Sequence, residues 1–368
     1  MTKDPPAAAP ALKEIFDRER MRHIAAETKA VWPGFDARRF MALATKKLDE
    51  LGIMERMRLV ASSLHETLPG GFQRNIEILK DLAPRIGHSF VAISLSEYVA
   101  LNGRHDFAAS MDALRYFTRF GSAEYAIRPF LLHDLHATLD VMRGWTADDD
   151  EHVRRLASEG CRPRLPWSFQ IKALIADPSP VAPILDALRA DPAIYVRKSV
   201  ANHLNHITKD HPDWVLARVG TWSTADARTE WIVRHALRTL IKKGDARALS
   251  RVGASGKADV GIDSFAVEPA DVRLGERIRI AARLSSTAQD EQRLVIDYAI
   301  HYVRQRGTAS RKVFKLKEVT LAAGASVDLS ISQVVRDFTT RKHHPGHHRI
   351  ELLVNGAAIA ETGFDLSE

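Results

Sequence analysis

The densest group of residues able to do chemistry lies at 152–167. There HVRRLASEGCRPRLPW sets Arg154, Arg155, Arg162 and Arg164 around one carboxylate, Glu159, and ends on the Pro-flanked Trp167. Arg155 and Glu159 stand four apart, the spacing of a helix-surface ion pair contributing only ~0.3–0.5 kcal/mol. That reading accounts for two residues and leaves three further arginines and the tryptophan. Guanidinium groups bind phosphate, a carboxylate stabilises a developing cation, and an exposed indole face binds a flat cationic ring. Together the residue types fit a positively charged base on a phosphate backbone. A second carboxylate, Glu124, stands in GSAEYAIRPF close to Arg128. A third cluster, YVRKSVANHLNHITKDHPDW, brings Arg197, Lys198, Asn202, His203, Asn205 and His206. Asparagines on a helix are commonly satisfied locally, which competes with a ligand role. His203, His206 and His211 have the spacing for a metal, but no carboxylate is placed to complete the set, so no metal site is expected. The pairs His343-His344 and His347-His348 are expected in an exposed strand connection.

The charge of the chain is concentrated near these residues. Lys and Arg number 53 against 46 Asp and Glu, a net +7. Residues 1–150 carry 20 positive and 21 negative groups, residues 151–260 carry 18 and 11, and residues 261–368 carry 15 and 14. The whole excess sits in the middle segment, as an electrostatic footprint on a polyanion would; a solvated basic face is the competing reading. The single cysteine, Cys161, excludes a disulfide framework and a cysteine-built zinc site and fits a reducing compartment. No run approaches the ~18 apolar residues of a membrane span. The N-terminal MTKDPPAAAPALKEIF lacks the order of a signal peptide. A cytoplasmic protein without membrane association is expected.

The elements that must carry the cluster are helices up to about residue 255. Apolar residues recur at three and four in ALKEIFDRERMRHIAAETKAVW, FMALATKKLDELG, MERMRLVASSLHETL and VAPILDALRA. Breakers fall between them at Pro33-Gly34, Pro69-Gly70-Gly71, Pro178, Pro180 and Pro212. A Val-Arg pair recurs at Val153-Arg154, Val196-Arg197 and Val233-Arg234, with Ile127-Arg128 as a fainter relative, so the arginines are 43 and 37 residues apart. A period near 40 predicts two-helix units of HEAT or armadillo type stacked into a solenoid. The recurring arginine then either lines one face as a stripe or pairs with a neighbouring Asp. After GASGKADVG the period becomes two, in RIRIAARL, RLVIDYAIHYV, VFKLKEVTL, SVDLSIS, HRIELLV and AAIAETGF. With turns at Asn355-Gly356 and Pro345-Gly346, this predicts about seven strands of an immunoglobulin-like sandwich. The expected domains are therefore a HEAT-like repeat solenoid at 1–255 and a β-sandwich at 256–368.

RRLASEGCRPRLPW, EYAIRPF, YVRKSVANHLN and AVWPGF resemble the signature blocks of the AlkC branch of the AlkC/AlkD DNA alkylation repair family, the HEAT-like-repeat DNA glycosylases. The likeness extends to the C-terminal β-region, which in that branch is an immunoglobulin-like domain. It implies a monofunctional glycosylase, monomeric and without cofactor, that acts on double-stranded DNA and removes cationic N-alkylated bases such as 3-methyladenine and 3-methylcytosine. Carried over by motif, Glu124 and Glu159 are the expected catalytic carboxylates and Trp167 lies at the lesion. The third block of the family reads NHLND, and this chain has His206 at the acidic position, which makes His206 the third expected catalytic residue. The residues expected on DNA or lesion are Trp167, Arg128, Arg154, Arg155, Arg162, Arg164, Arg197, Lys198, Asn202, Trp231 and Arg234. Two other functions stay open: a catalytically weak damaged-DNA-binding paralogue, and a repeat scaffold binding acidic protein partners.

Overall fold

The computed structural model describes residues 12–254, 257–305, 309–338 and 342–367. The first eleven residues, and Ser255 and Gly256 of the expected linker, lie outside them. The chain is a helical repeat followed by an immunoglobulin-like β-domain. Its secondary structure changes from helix to strand between Arg251 and Val260. Its two compact units divide elsewhere: one comprises 1–210 and 224–232, the other 211–223 and 233–368.

In the first unit five helices start where an aspartate caps them. Asp17 accepts from the Arg20 amide at 2.7 Å and splits the long amphipathic stretch into a short 3₁₀ turn, Leu12–Phe16, and the helix Arg18–Val31. Asp36, Asp106, Asp134 and Asp150 cap later helices in the same way. The helix Ser89–Asn102 runs through the interior, with Val91 to Ala100 all buried, so its sequence shows no apolar stripe.

The recurring arginines are held by loop and carboxylate partners, and Arg154 staples one repeat to the next. Arg154 donates Nη1 to the carbonyls of Asp148 and Asp149, and its Nε and Nη2 to the Asp191 carboxylate at 2.7 and 3.2 Å. Arg197 repeats the local half of this pattern, its Nη1 donating to the Asp191 and Pro192 carbonyls, both at 2.7 Å. Each arginine thus holds the loop five and six residues before it, and Arg154 also ties down the next loop. Arg154 thus takes the pairing with a neighbouring Asp, and Arg197 is held by loop carbonyls, in place of a stripe of free arginines. The third member departs further. Val233-Arg234 lies two turns inside the helix Ala227–Lys242, and Arg234 pairs with Glu318 at 2.5 Å within the second unit.

The second unit contains two sheets built from β1 (Val260–Glu268), β2 (Asp271–Arg273), β3 (Arg277–Ser286), β4 (Gln292–Tyr302), β5 (Ser310–Leu321), β6 (Ser326–Val334), β7 (Gly346–Val354) and β8 (Ala357–Ser367). The strand orders are β1-β3-β6 and β2-β8-β7-β4-β5. All pairs are antiparallel except β2 with β8. The alternating residues Ile278, Ile280, Tyr298, Ile300, Ile350 and Phe364 face one another in the core. Asn355 and Gly356 both have positive φ, 49° and 79°, as the tight β7–β8 turn demands. The strands beyond the six expected segments are β1 and β2. Their alternation is interrupted by Pro269, which hides them from a period-two reading.

Candidate active site

Glu159 ends the helix Glu151–Glu159 with 5% of its surface exposed. Its Oε1 receives Nη1 of Arg162 and lies 3.4 Å from Nη2 of Arg155, while its Oε2 accepts from the Ser199 hydroxyl at 2.6 Å. Both oxygens are thus fixed in direction. Glu124, 9% exposed, accepts on Oε2 from the Ser122 hydroxyl at 2.8 Å and from Nη1 of Arg155. Arg155 therefore bridges the two carboxylates, and a second guanidinium, Arg162, closes the chain at Glu159. The four charges cancel while the hydrogen bonds keep the carboxylates oriented. Burial pushes the Tyr125 phenol up to about 12, and the adjoining Glu124 carboxylate and its hydrogen bond add to the effect.

His206 joins this chain from the helix Ile194–Ile207, where Nη2 of Arg162 lies 3.1 Å from its Nε2 and 3.3 Å from its Nδ1. Asn202, half-buried, lies one turn earlier on the same helix. His203 is placed differently. It is fully buried with Nδ1 2.9 Å from the Ser158 carbonyl, and burial lowers its pKa to about 3, so it is a neutral core residue. Among the described residues no group of three or more His, Cys, Asp or Glu could hold a metal ion.

Trp167 sits in the irregular segment between Gly160 and Ile171, with φ of +63° and 60% of its surface exposed. What shapes that segment is Arg128. Its guanidinium is fully buried and donates to the carbonyls of Gly160, Arg162 and Phe169 at 2.9, 2.8 and 2.5 Å. Desolvation lowers its pKa to about 10. A phosphate role does not fit a side chain sealed from solvent; Arg128 clamps the loop that presents Trp167.

The other expected DNA contacts are distributed unevenly. Arg154 and Arg197 are occupied by loop carbonyls and Asp191, as described above. Arg164 pairs with Asp210 at 2.9 Å and remains partly exposed. Lys198 is exposed. Trp231 is half-buried in the first unit, whereas Arg234 belongs to the second. Sequence reasoning missed Ser122, Ser199, Tyr125 and Tyr195. The Tyr195 ring centroid lies 5.0 Å from the Arg155 guanidinium carbon, a stacked cation–π pair beside the carboxylates. A signal for Ser199 existed, since helical spacing puts residues 199, 202 and 206 on one face.

Residues 112–240 match the family model described as DNA alkylation repair enzyme. The chain is also similar to the Pseudomonas fluorescens alkylpurine DNA glycosylase AlkC, solved bound to DNA containing an abasic site analog. It is 54% identical to that protein, with a TM-score of 0.94, covering 98% of this chain and 100% of the other. The chain belongs to the AlkC branch of the DNA alkylation repair family. A further relative is the uncharacterized protein YhaZ of Bacillus subtilis strain 168, 38% identical over 94% of this chain and 96% of its own length. The β-domain that marks the AlkC branch matches separately, residues 261–368 fitting the model of the YhaZ C-terminal Ig-like domain. Among the described residues no helix is long and apolar enough to cross a membrane.

Proposed function

We propose that this chain is a monofunctional alkylpurine and alkylpyrimidine DNA glycosylase that hydrolyses the N-glycosidic bond of cationic N-alkylated bases in double-stranded DNA, such as 3-methyladenine and 3-methylcytosine. The observation that carries the reading is the pair Glu124 and Glu159, brought together by one arginine within a chain like AlkC over nearly its whole length. N3-alkylation gives the base a formal positive charge, so it leaves without a general acid. What remains is an oxocarbenium-like sugar, which a pre-oriented carboxylate stabilises electrostatically and whose attacking water it orients or deprotonates.

In this reading Glu159 is the principal carboxylate and Glu124 its partner. Ser199 and Arg162 hold Glu159 in place before substrate arrives, so little reorganisation accompanies the reaction. Trp167 meets the damaged nucleotide, Lys198 and Arg164 contact phosphate, and the repeat region up to about residue 255 is the catalytic domain. Neutral bases lack the activated leaving group, so selectivity requires no deep base pocket, and base flipping is not assumed. The test is incubation with methylated duplex DNA followed by chromatography of released bases. Free 3-methyladenine is expected. Lesion-dependent binding with no base released would instead leave the damaged-DNA-binding reading, which His206 favours.

A further inference from the structure

Trp167 holds a left-handed backbone conformation that a bulky residue keeps only when its surroundings fix it, yet most of its surface is exposed. Its ring meets the edge of one aromatic, Phe90, with centroids 6.4 Å apart at 75°. Phe90 is braced in turn by the fully buried Phe16, at 6.3 Å and 73°. Edge-to-face pairs favour one orientation of each ring, so the row Phe16–Phe90–Trp167 fixes the indole plane from the protein interior outward.

Phe90 lies in the first turn of the helix Ser89–Asn102. That same turn receives the loop carrying Glu124. Gly121 is packed so closely on it that a methyl group there would lie 2.3 Å from the Ser89 carbonyl oxygen and 2.8 Å from the Ile93 nitrogen. Ser122, the next residue, donates to Glu124. One helical turn therefore supports the indole through Phe90 and the carboxylate loop through Gly121.

We infer that Phe90 is a positioning residue of the glycosylase site, acting through Trp167 by fixing the indole relative to the Glu124 loop. The inference rests on the glycosylase reading and adds a residue that never touches substrate. Misplacing a group by about an ångström costs up to ~10²-fold in rate.

The test measures single-turnover release of 3-methyladenine by the full chain, with duplex affinity and thermal melting measured beside it. Phe90→Ala is expected to lower the rate ~10–100-fold with a cooperative melt retained and affinity changed less than ~3-fold. Phe90→Tyr, which keeps the ring, is expected to restore most of the rate. The double variant Phe90→Ala, Trp167→Ala is expected to be no slower than Trp167→Ala alone, because the first change acts through the second residue. Multiplying losses, an unchanged Phe90→Ala rate or an inert Trp167→Ala would each overturn the inference. If the parent releases no base, the glycosylase reading fails instead. The inference about the aromatic row is then decided by the fluorine resonance of 5-fluorotryptophan at position 167, expected to shift in Phe90→Ala and to return in Phe90→Tyr.

Discussion

Glu159→Gln keeps the shape of the side chain and removes its charge. For an anomeric carbon placed about 5 Å from the carboxylate, at an effective dielectric of about 20, the carboxylate stabilises a full positive charge by up to ~3 kcal/mol, the upper bound before the paired Arg155 and Arg162 offset part of its field. At ~1.4 kcal/mol per decade, losing it slows excision by up to about 10²-fold. The structure adds a second consequence. Arg162, whose side chain is 7% exposed, would face a neutral amide in place of its carboxylate. An almost buried charge stripped of its partner costs on the order of 3 kcal/mol, so the variant should also melt earlier. The two effects separate with Ser199→Ala, which removes the hydroxyl bonded to Oε2 and leaves the charge. That variant should lose less than tenfold in rate, about one hydrogen bond's worth. The assay is single-turnover release of 3-methyladenine at saturating enzyme, at a temperature where every variant is folded. A folded Glu159→Gln that excises at the parent rate refutes the catalytic assignment. A Ser199→Ala loss equal to that of Glu159→Gln would place the effect in geometry instead of charge.

Four further outcomes follow from the same structure. Arg154→Ala removes the staple to Asp191 and should destabilise the protein by about 2–4 kcal/mol while leaving the slope of log K against log salt unchanged. Lys198→Ala should instead flatten that slope by ~0.9 for intact and alkylated duplexes alike, as read by binding titrations across salt; the opposite pattern would reverse the two roles. In the β-domain, burial raises the Asp297 carboxyl from 3.8 to about 6, with nearby Lys242 and Lys315 working the other way. A raised carboxyl favours folding below pH ~4, and that stability is lost as pH rises through about 6. Asp297→Asn should therefore stabilise the protein above pH 6 by up to ~3 kcal/mol, read as a higher melting temperature there, and an Asn variant with the parent's pH dependence would exclude Asp297 as its source. His206→Asp should raise excision, because a carboxylate beside Arg162 favours a nearby cationic base where an imidazole does not; a folded variant that excises no faster than the parent would remove that role.

The parts of the molecule legible in the sequence are those set by local pattern. Period-two alternation located six of the eight strands, and Asn355-Gly356 announced its turn because few other residue pairs tolerate positive φ twice in succession. The approximate 40-residue rhythm was also readable, but its meaning was not. An arginine recurring in a helical repeat looks the same whether it faces solvent or reaches back to a carbonyl, and only the positions of the preceding loop and of Asp191 distinguish the two. The same holds for Arg128. In sequence it is one more cation near a carboxylate; in the fold it is sealed behind the loop it clamps. Net charge counts both kinds equally, so a +7 excess over 151–260 overstates the number of arginines available to phosphate. The carboxylates behave oppositely. Glu124 and Glu159 are 35 residues apart in sequence, and their motifs gave no distance between them, yet they meet through Arg155, whose i, i+4 pairing with Glu159 looked like an ordinary surface contact. Burial turns that ordinary spacing into a charged bridge. Exposed Lys198 and partly exposed Arg164 are consequently sharper tests of phosphate binding than any member of the repeat.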